Sequence, residues 1–434
     1  MKNRFESLVA GSVLLVSATV LATGLPEVSS VTMSQADNRK VTIGYTLKNS
    51  AAVITLDIQT NCTVAAGVTN WVSIGGQNID CFSADSAVWK KVEAGDHTIT
   101  WSPHHSWEGR KIGPNGIRAV VTAWDLTNTP DYMVVDLLQT DGENPPRYYP
   151  AADYLPGGLL KNQDYCTTKL VMRKCPAKGV TWTIGSINED PSRPNEKPRE
   201  ITLDSNYYIA VFPMTLGQWQ IVYSKWKITT YPQQEAVRPV RNVAYNVLRC
   251  NNANNTDYYG GSYPDDPTAY SFLGELRKRT GIDFDLPSDA QWEYAARAGQ
   301  GSGYWNNGKP ILVLTGEDKN LPGWYKANSS ADSTSPFYNA PCRVGMFEPN
   351  AWGIYDIHGN VCEFCLDAYI DKPTSSTGAV YVPAANMSTA NKVVRGGAYA
   401  YDPGSSRSAY RWSWNPTTQS VAFGFRVACK AGLD

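Results

Sequence analysis

The sequence is poor in histidine and has almost no excess of charge of either sign. It holds four histidines in 434 residues, and 39 basic and 40 acidic side chains leave a net charge of −1. A nucleic-acid-binding chain usually shows a basic surplus, so we expect no nucleic-acid partner. His104 and His105 are adjacent, and neighbouring residues of a strand point to opposite faces, so we do not expect them to share a metal.

The sequence also lacks an apolar run long enough to span a membrane comfortably. The longest candidate, Leu8–Leu21, is short and is soon broken by glycine and proline, whereas a spanning helix needs about 20 apolar residues. Lys2 and Arg4 precede this run and Ala22 follows it, which is typical of a secretory signal. We predict a signal peptide at residues 1–24, no membrane span after its cleavage, and a secreted, periplasmic or cell-surface protein. An uncleaved anchor is the alternative.

Cysteine is not lacking. Nine cysteines in an exported chain favour disulfides, with at least one thiol left over. The local pairing candidates are Cys62 with Cys81 and Cys166 with Cys175. Cys362 and Cys365 form a Cys-x-x-Cys that is redox-active, metal-binding or simply structural. No second cysteine pair or histidine pair accompanies it, which argues against zinc.

Residues 30–140 alternate between apolar and polar side chains. Val41–Leu47, Ala52–Ile58 and Ile117–Trp124 are the clearest examples, and turn residues separate them. Several short strands without a helical stretch predict an all-β sandwich of immunoglobulin type. Residues 141–168 are rich in proline and glycine and predict a linker.

The rest of the chain, residues 169–434, predicts an α+β domain with two well-marked helices. One runs over 269–280 and ends at Gly281. The other runs from Ser288 to Arg297, where Ser288 and Gln291 have the spacing of a capping box.

Four motifs follow one another in the last third of the chain. They are Leu286–Arg297 (LPSDAQWEYAAR), Asn350–Phe364 (NAWGIYDIHGNVCEF), Val394–Ala398 (VRGGA) and Gly424–Ala428 (GFRVA). Their order and spacing resemble the formylglycine-generating enzyme family, the sulfatase-modifying factors. The resemblance covers roughly residues 170–430 and implies a variant of the C-type lectin fold.

The resemblance fails at the catalytic loop. The family binds copper through two cysteines and uses it to oxidise a sulfatase cysteine, but those positions are Tyr401 and Ser406 here. Copper(I) requires soft thiolate ligands, so we predict no catalytic residue and no copper. A sister branch uses iron on several histidines, for which this chain has too few.

The resemblance also implies a structural calcium ion. The family's ligands correspond to Asp356, Gly359, Val361 and Glu363, the middle two through their carbonyl groups. A mixture of carboxylate and carbonyl oxygens suits calcium. The alternative is that Asp356 caps the turn and Glu363 lies on the surface.

Aromatic and small polar residues are concentrated between Ala398 and Phe423. Those that we predict to form a ligand-binding surface are Tyr399, Tyr401, Asp402, Ser406, Tyr410, Trp412, Trp414 and Asn415. This composition is typical of antibody-like binding surfaces, although half of the aromatics could instead fill the core. Some proteins diversified by retroelements share this fold and vary in this segment.

These observations favour an exported two-domain protein whose second domain is catalytically silent and binds a glycan or a cell-surface protein. Two alternatives stay open. One is an oxidoreductase of the formylglycine-generating class that acts on a protein cysteine. The other is a structural component of an envelope or matrix.

Overall fold

The described part of the chain is extensive but has gaps. A computed structural model describes residues 24–65, 68–110, 115–139, 145–186, 194–224, 236–250, 266–299, 304–305, 309–310, 323–329, 334, 338–370 and 391–433. Residues 1–23, and with them nearly all of the predicted signal peptide, lie outside this set. Within it, no helix has the length and apolar character needed to cross a membrane.

The first seven strands form two antiparallel sheets. They are β1 (Glu27–Gln35), β2 (Val41–Lys48), β3 (Ala52–Ala65), β4 (Val68–Ser73), β5 (Lys91–Val92), β6 (Gly95–Trp101) and β7 (Ile117–Trp124). One sheet has the order β1-β2-β6, and in the other β3 pairs with β4 and β5 on one side and with β7 on the other. Ile43 of the first sheet and Leu56 of the second are buried in the same core. The predicted strands are therefore present, while the immunoglobulin type stays a prediction.

The remaining strands belong mostly to the second half of the chain. They are β8 (Tyr132–Asp136), β9 (Arg147–Tyr149), β10 (Lys169–Cys175), β11 (Thr181–Ile184), β12 (Arg199–Thr202), β13 (Tyr207–Ala210), β14 (Tyr304–Trp305), β15 (Lys309–Pro310), β16 (Cys362–Ala368), β17 (Lys392–Arg395), β18 (Trp412–Trp414), β19 (Phe423–Gly424) and β20 (Ala428–Lys430). Five of them form a sheet of order β20-β13-β10-β8-β9, and four form a sheet of order β18-β17-β16-β19.

The five-stranded sheet crosses the predicted domain boundary. Strand β8 lies at the end of the predicted sandwich domain and β9 lies in the predicted linker, yet both are hydrogen-bonded into the sheet of the second domain. The reason is that β8 is apolar on both faces. Met133 is buried in the core shared with the C-terminal helices and Val134 in the core shared with β2 and β3. A strand buried on both faces belongs inside a covered sheet. Residues 147–149 of the predicted linker pair with that strand, so they are not part of a free spacer.

Within the described ranges, six short α-helices accompany the strands. They are α1 (Pro103–Ser106), α2 (Leu216–Val222), α3 (Tyr245–Arg249), α4 (Phe272–Thr280), α5 (Asp289–Ala296) and α6 (Lys326–Ser329). The two predicted helices are confirmed as α4 and α5. Gly281 ends α4 with a left-handed φ of 69°, and Ser288 with Gln291 forms the predicted capping box.

Buried arginines connect α5 to the four-stranded sheet. Arg395 of β17 lies 2.9 Å from Glu293, and Arg411 lies 2.8 Å from Asp289. All four side chains are nearly inaccessible. Removing one partner of a buried ion pair typically costs about 3–5 kcal/mol, so these pairs hold the chain between β17 and β18 in place.

Candidate functional site

Three half-buried aromatic rings stand together over a fully buried one. Tyr401 lies 5.0 Å from Trp412, and Trp412 lies 5.9 Å from Trp414, measured between ring centroids. Trp414 in turn lies 4.5 Å from Phe423, which is inaccessible to solvent. We call Tyr401, Trp412 and Trp414 the aromatic cluster. Its rings have one side on the core and part of their surface in solvent.

The sheet positions the two tryptophans. Trp412 and Trp414 are two residues apart on β18, so their side chains share a face. Strand β18 pairs with β17 through Val394 opposite Trp412 and Lys392 opposite Trp414. It is the last strand of this sheet among the described residues, which leaves the pair at a sheet edge.

Tyr401 adds a polar group to the cluster. Burial raises the pKa of Tyr401 to about 12, and its side chain is hydrogen-bonded to Ser420. The phenol therefore stays neutral at physiological pH. Neither Ser420 nor Phe423 is a predicted site residue, because no local pattern brings Ser420 to Tyr401 or places Phe423 against Trp412 and Trp414.

Polar and aromatic residues flank the cluster. Asp402 and Asn415 are exposed, and Oδ1 of Asn415 accepts hydrogen bonds from the backbone and hydroxyl of Thr417. Tyr410 is half-buried, with the guanidinium of Arg407 located 5.5 Å from its ring centroid. These three predicted residues therefore lie at or near the surface beside the aromatic cluster.

Two predicted surface residues are buried instead. Tyr399 is 4% exposed and its hydroxyl accepts a hydrogen bond from Arg241 at 3.0 Å. Ser406 is 1% exposed, and its hydroxyl lies so close to Gly397 that a Cβ atom there would come within 2.2 Å of it. The prediction of a surface role is wrong for both, because tertiary packing turns these side chains inward.

Oxygen-bearing side chains stand at the two positions that correspond to the family's copper ligands. The Tyr401 ring packs on Trp412, whereas the Ser406 hydroxyl faces Gly397. His358 is near, with Nδ1 located 2.7 Å from the carbonyl oxygen of Ser406, but burial lowers its pKa to about 4. These positions offer oxygen and one buried imidazole, not the thiolates that copper(I) needs.

The two cysteines of the Cys-x-x-Cys motif are buried in different cores. Cys362 and Cys365 lie on β16, where residues three apart point to opposite faces. Accordingly, Cys362 is buried in the core with Phe423 and Cys365 in the core with Trp292. Burial raises the pKa of both thiols well above its ordinary value, so neither is an activated nucleophile.

The predicted disulfides are not present among the described side chains. Cys166 and Cys175 are both free thiols, and so is Cys81. The two side chains are also buried in different cores, Cys166 in the one that contains Ile43 and Leu56 and Cys175 in the one that contains Trp292. The side chain of Cys62 lies outside the described residues.

The predicted calcium ligands do not form an open oxygen site. Glu363 is inaccessible, and its two oxygens accept hydrogen bonds from Arg426 at 2.6 and 2.8 Å and from the Trp292 indole at 2.7 Å. Asp356 accepts from the backbone of Gly345 at 2.7 Å, and burial raises its pKa to about 6. Among the described residues, no group of three or more metal-binding side chains occurs.

Because Glu363 is neutralised by a guanidinium, the described donor set does not fit calcium. Gly359 and Val361 stand in the turn between the two carboxylates, as the prediction required, but they offer only backbone carbonyls. We therefore derive no role for calcium at this turn.

The second half of the chain is similar to known proteins. Residues 172–431 match the family model of the sulfatase-modifying factor enzyme 1-like domain. The chain is 31% identical over 192 residues to the formylglycine-generating enzyme of Streptomyces coelicolor, covering 39% of this chain and 51% of that enzyme. It is 32% identical over 144 residues to the serine/threonine-protein kinase Pkn1 of Chlamydia trachomatis, covering 33% of this chain and 20% of the kinase.

A solved structure has a weaker likeness to the chain. PvdO from Pseudomonas aeruginosa aligns with 60% of this chain and 94% of its own, at 24% identity and a TM-score of 0.44. The chain spans less than two thirds of either curated relative. The family match, by contrast, covers more than half of the chain. The protein therefore belongs to the sulfatase-modifying factor family.

Proposed function

We propose that this chain is an exported binding protein whose sulfatase-modifying-factor domain is catalytically silent and binds a glycan or a cell-surface protein. The binding surface is the aromatic cluster with its polar neighbours Asp402 and Asn415. The observation that carries the proposal is that Tyr401, at the position of one of the family's copper cysteines, packs with the half-buried rings of Trp412 and Trp414 on β18.

The chemistry of this surface supports binding. An aromatic ring buries a large area with few rotatable bonds, so it loses little entropy when a ligand covers it. Trp412 and Trp414 offer ring surface to a sugar or an apolar side chain. Asp402 and Asn415 offer hydrogen-bonding groups at the edge of the cluster.

The underlying structure supports a preformed surface. Phe423 fixes Trp414 from below, and the Arg395 and Arg411 ion pairs fix both ends of the loop. Rigid groups bind more tightly than mobile ones because less ordering is needed on binding.

The first experiment is a screen of the secreted full chain against a glycan array and against intact cell surfaces. We expect binding that falls at least tenfold in the variant Trp412→Ala/Trp414→Ala. Val421→Ala is the matched control, because Val421 is also exposed in this segment but lies outside the aromatic cluster. Since Glu363 is held by Arg426, we expect a calcium chelator to leave binding unchanged.

A separate assay addresses the enzymatic alternative. The purified chain is incubated with copper, oxygen and a sulfatase-derived cysteine peptide, and formylglycine is sought by mass spectrometry. Absence of product supports the silent domain. Turnover that survives repeated purification would contradict it.

A further inference from the structure

A second group of polar and aromatic side chains lies on the other half of the molecule. On β3, Leu56 and Ile58 face the core, so the alternate residues Asp57, Gln59 and Asn61 face outward. The register places Trp71 opposite Asn61 and Arg118 opposite Gln59. We call the outward residues Asp57, Gln59, Asn61, Trp71, Ser73 and Arg118 the sheet platform.

Hydrogen bonds arrange the platform in a row across three strands. Arg118 donates to Oε1 of Gln59 at 2.8 and 2.6 Å. Gln59 donates to Asp57 at 2.9 Å, and Ser73 donates to the other oxygen of Asp57 at 2.6 Å. The side chains are thus held in fixed positions before any ligand arrives.

The aromatic ring of the platform is held as well. The guanidinium of Arg118 lies 4.5 Å from the ring centroid of Trp71, a cation–π distance. Trp71 is half-buried, so part of its ring remains open to solvent. The platform also balances its charge, with one carboxylate and one guanidinium.

Asn61 carries an unsatisfied group. Its Oδ1 atom is shielded from solvent and has no hydrogen-bond partner within the described part of the chain. A buried polar atom without a partner costs about 1–3 kcal/mol. If the Asn61 amide turns outward to meet a hydroxyl group of a ligand on Trp71, which lies directly opposite, part of that cost is recovered.

We propose that the sheet platform is a second binding site, for a neutral carbohydrate chain. A sugar ring offers an apolar face for Trp71 and hydroxyl groups for Asp57, Gln59 and Asn61. The balanced charge of the platform matches an uncharged, hydroxyl-rich ligand better than an acidic or basic one. This site is separate from the aromatic cluster and does not depend on it.

The test uses the full chain and a set of neutral polysaccharides in affinity electrophoresis, with the retarding polysaccharides then titrated calorimetrically as oligosaccharides. We expect Trp71→Ala to weaken binding at least tenfold and Asn61→Ala to weaken it several-fold. Trp71→Phe keeps an aromatic ring and should retain most of the affinity. The variant Trp412→Ala/Trp414→Ala should retain this binding in full.

Val72→Ala is the matched control, since Val72 is the exposed neighbour of Trp71 and points to the opposite face. Melting temperatures of all variants establish that they are folded. If no neutral polysaccharide retards the wild type, or if folded Trp71→Ala and Asn61→Ala bind as the wild type does, the proposal is wrong. Binding lost only in Trp412→Ala/Trp414→Ala would assign the carbohydrate to the aromatic cluster instead.

Discussion

Lys392 illustrates how burial sets the charge behaviour of a single residue in this molecule. Its side chain is 0% exposed, and its ammonium group lies 4.7 Å from the ring centroid of Tyr245. Burial lowers the pKa of Lys392 to about 8, whereas an unfolded lysine titrates near 10.4. Between these two values the unfolded chain binds the proton more strongly than the native protein.

The free energy of unfolding should therefore rise with pH over this window. Below pH 8 the buried charge costs stability, and the cost is relieved as Lys392 deprotonates, by about 2–3 kcal/mol in total between pH 8 and 10.5. Lys392→Met should abolish this pH-dependent contribution to stability. Urea unfolding of both proteins at pH 7.5, 9 and 10 checks it: the stability of the wild type relative to Lys392→Met should increase with pH. Lys178→Met, at an exposed lysine, controls for loss of a charge, and a pH-independent difference for Lys392→Met would contradict the prediction.

At the scale of elements, strand periodicity decides what a motif means. Read as a linear motif, Cys362 and Cys365 could form a redox pair, but β16 sends them to opposite cores. The same periodicity unites Trp412 and Trp414 on one face of β18 and Gln59 and Asn61 on one face of β3. Residues two apart on a strand lie on the same face and can form one site, whereas residues three apart lie on opposite faces and cannot.

The thiols of β16 should be unreactive in the native protein. Burial and raised pKa values keep Cys362 and Cys365 protonated, so iodoacetamide at pH 8 should leave both unmodified for hours. Cys81, which is partly exposed, should be alkylated earlier. After unfolding in urea without reductant, peptide mass spectrometry should find Cys362 and Cys365 fully alkylated. A Cys362–Cys365 disulfide, or their rapid native alkylation, would restore the redox interpretation.

At the scale of the whole molecule, the five-stranded sheet joins the two predicted domains. Strand β8 pairs with β10 along five residues, and β9 completes the sheet beside β8. The family match begins at residue 172, but the sheet to which it belongs begins at Tyr132. The sandwich and the second domain therefore share buried surface, with Val134 of β8 in the same core as Ile54 of β3.

A truncation at the predicted linker should consequently fail. Residues 169–434 alone lack β8 and β9 and expose Met172 and Val171, so we expect aggregation or a loss of cooperative thermal unfolding by circular dichroism. Residues 126–434 restore both strands and should be markedly more soluble and cooperative. Equal behaviour of the two fragments would show that the sheet does not need β8.

Local sequence determined the features that depend on neighbouring residues alone. The Ser288–Gln291 capping box, the end of α4 at Gly281 and the alternating strands β2, β3 and β7 follow from propensity and periodicity. The four ordered motifs determined the family. The absence of cysteine at 401 and 406 determined that the copper pair is missing.

Only the tertiary structure decided the burial and the partners of side chains whose local sequence allows more than one position. It buried Tyr399 and Ser406, paired Glu363 with Arg426 and drew β8 into the sheet of the second domain. It also brought Trp412 and Trp414 against Phe423 and Tyr401 against Trp412. The physical reason is that burial and ion pairing depend on partners far apart in the chain. The local sequence around a residue does not specify which distant partner will lie against it.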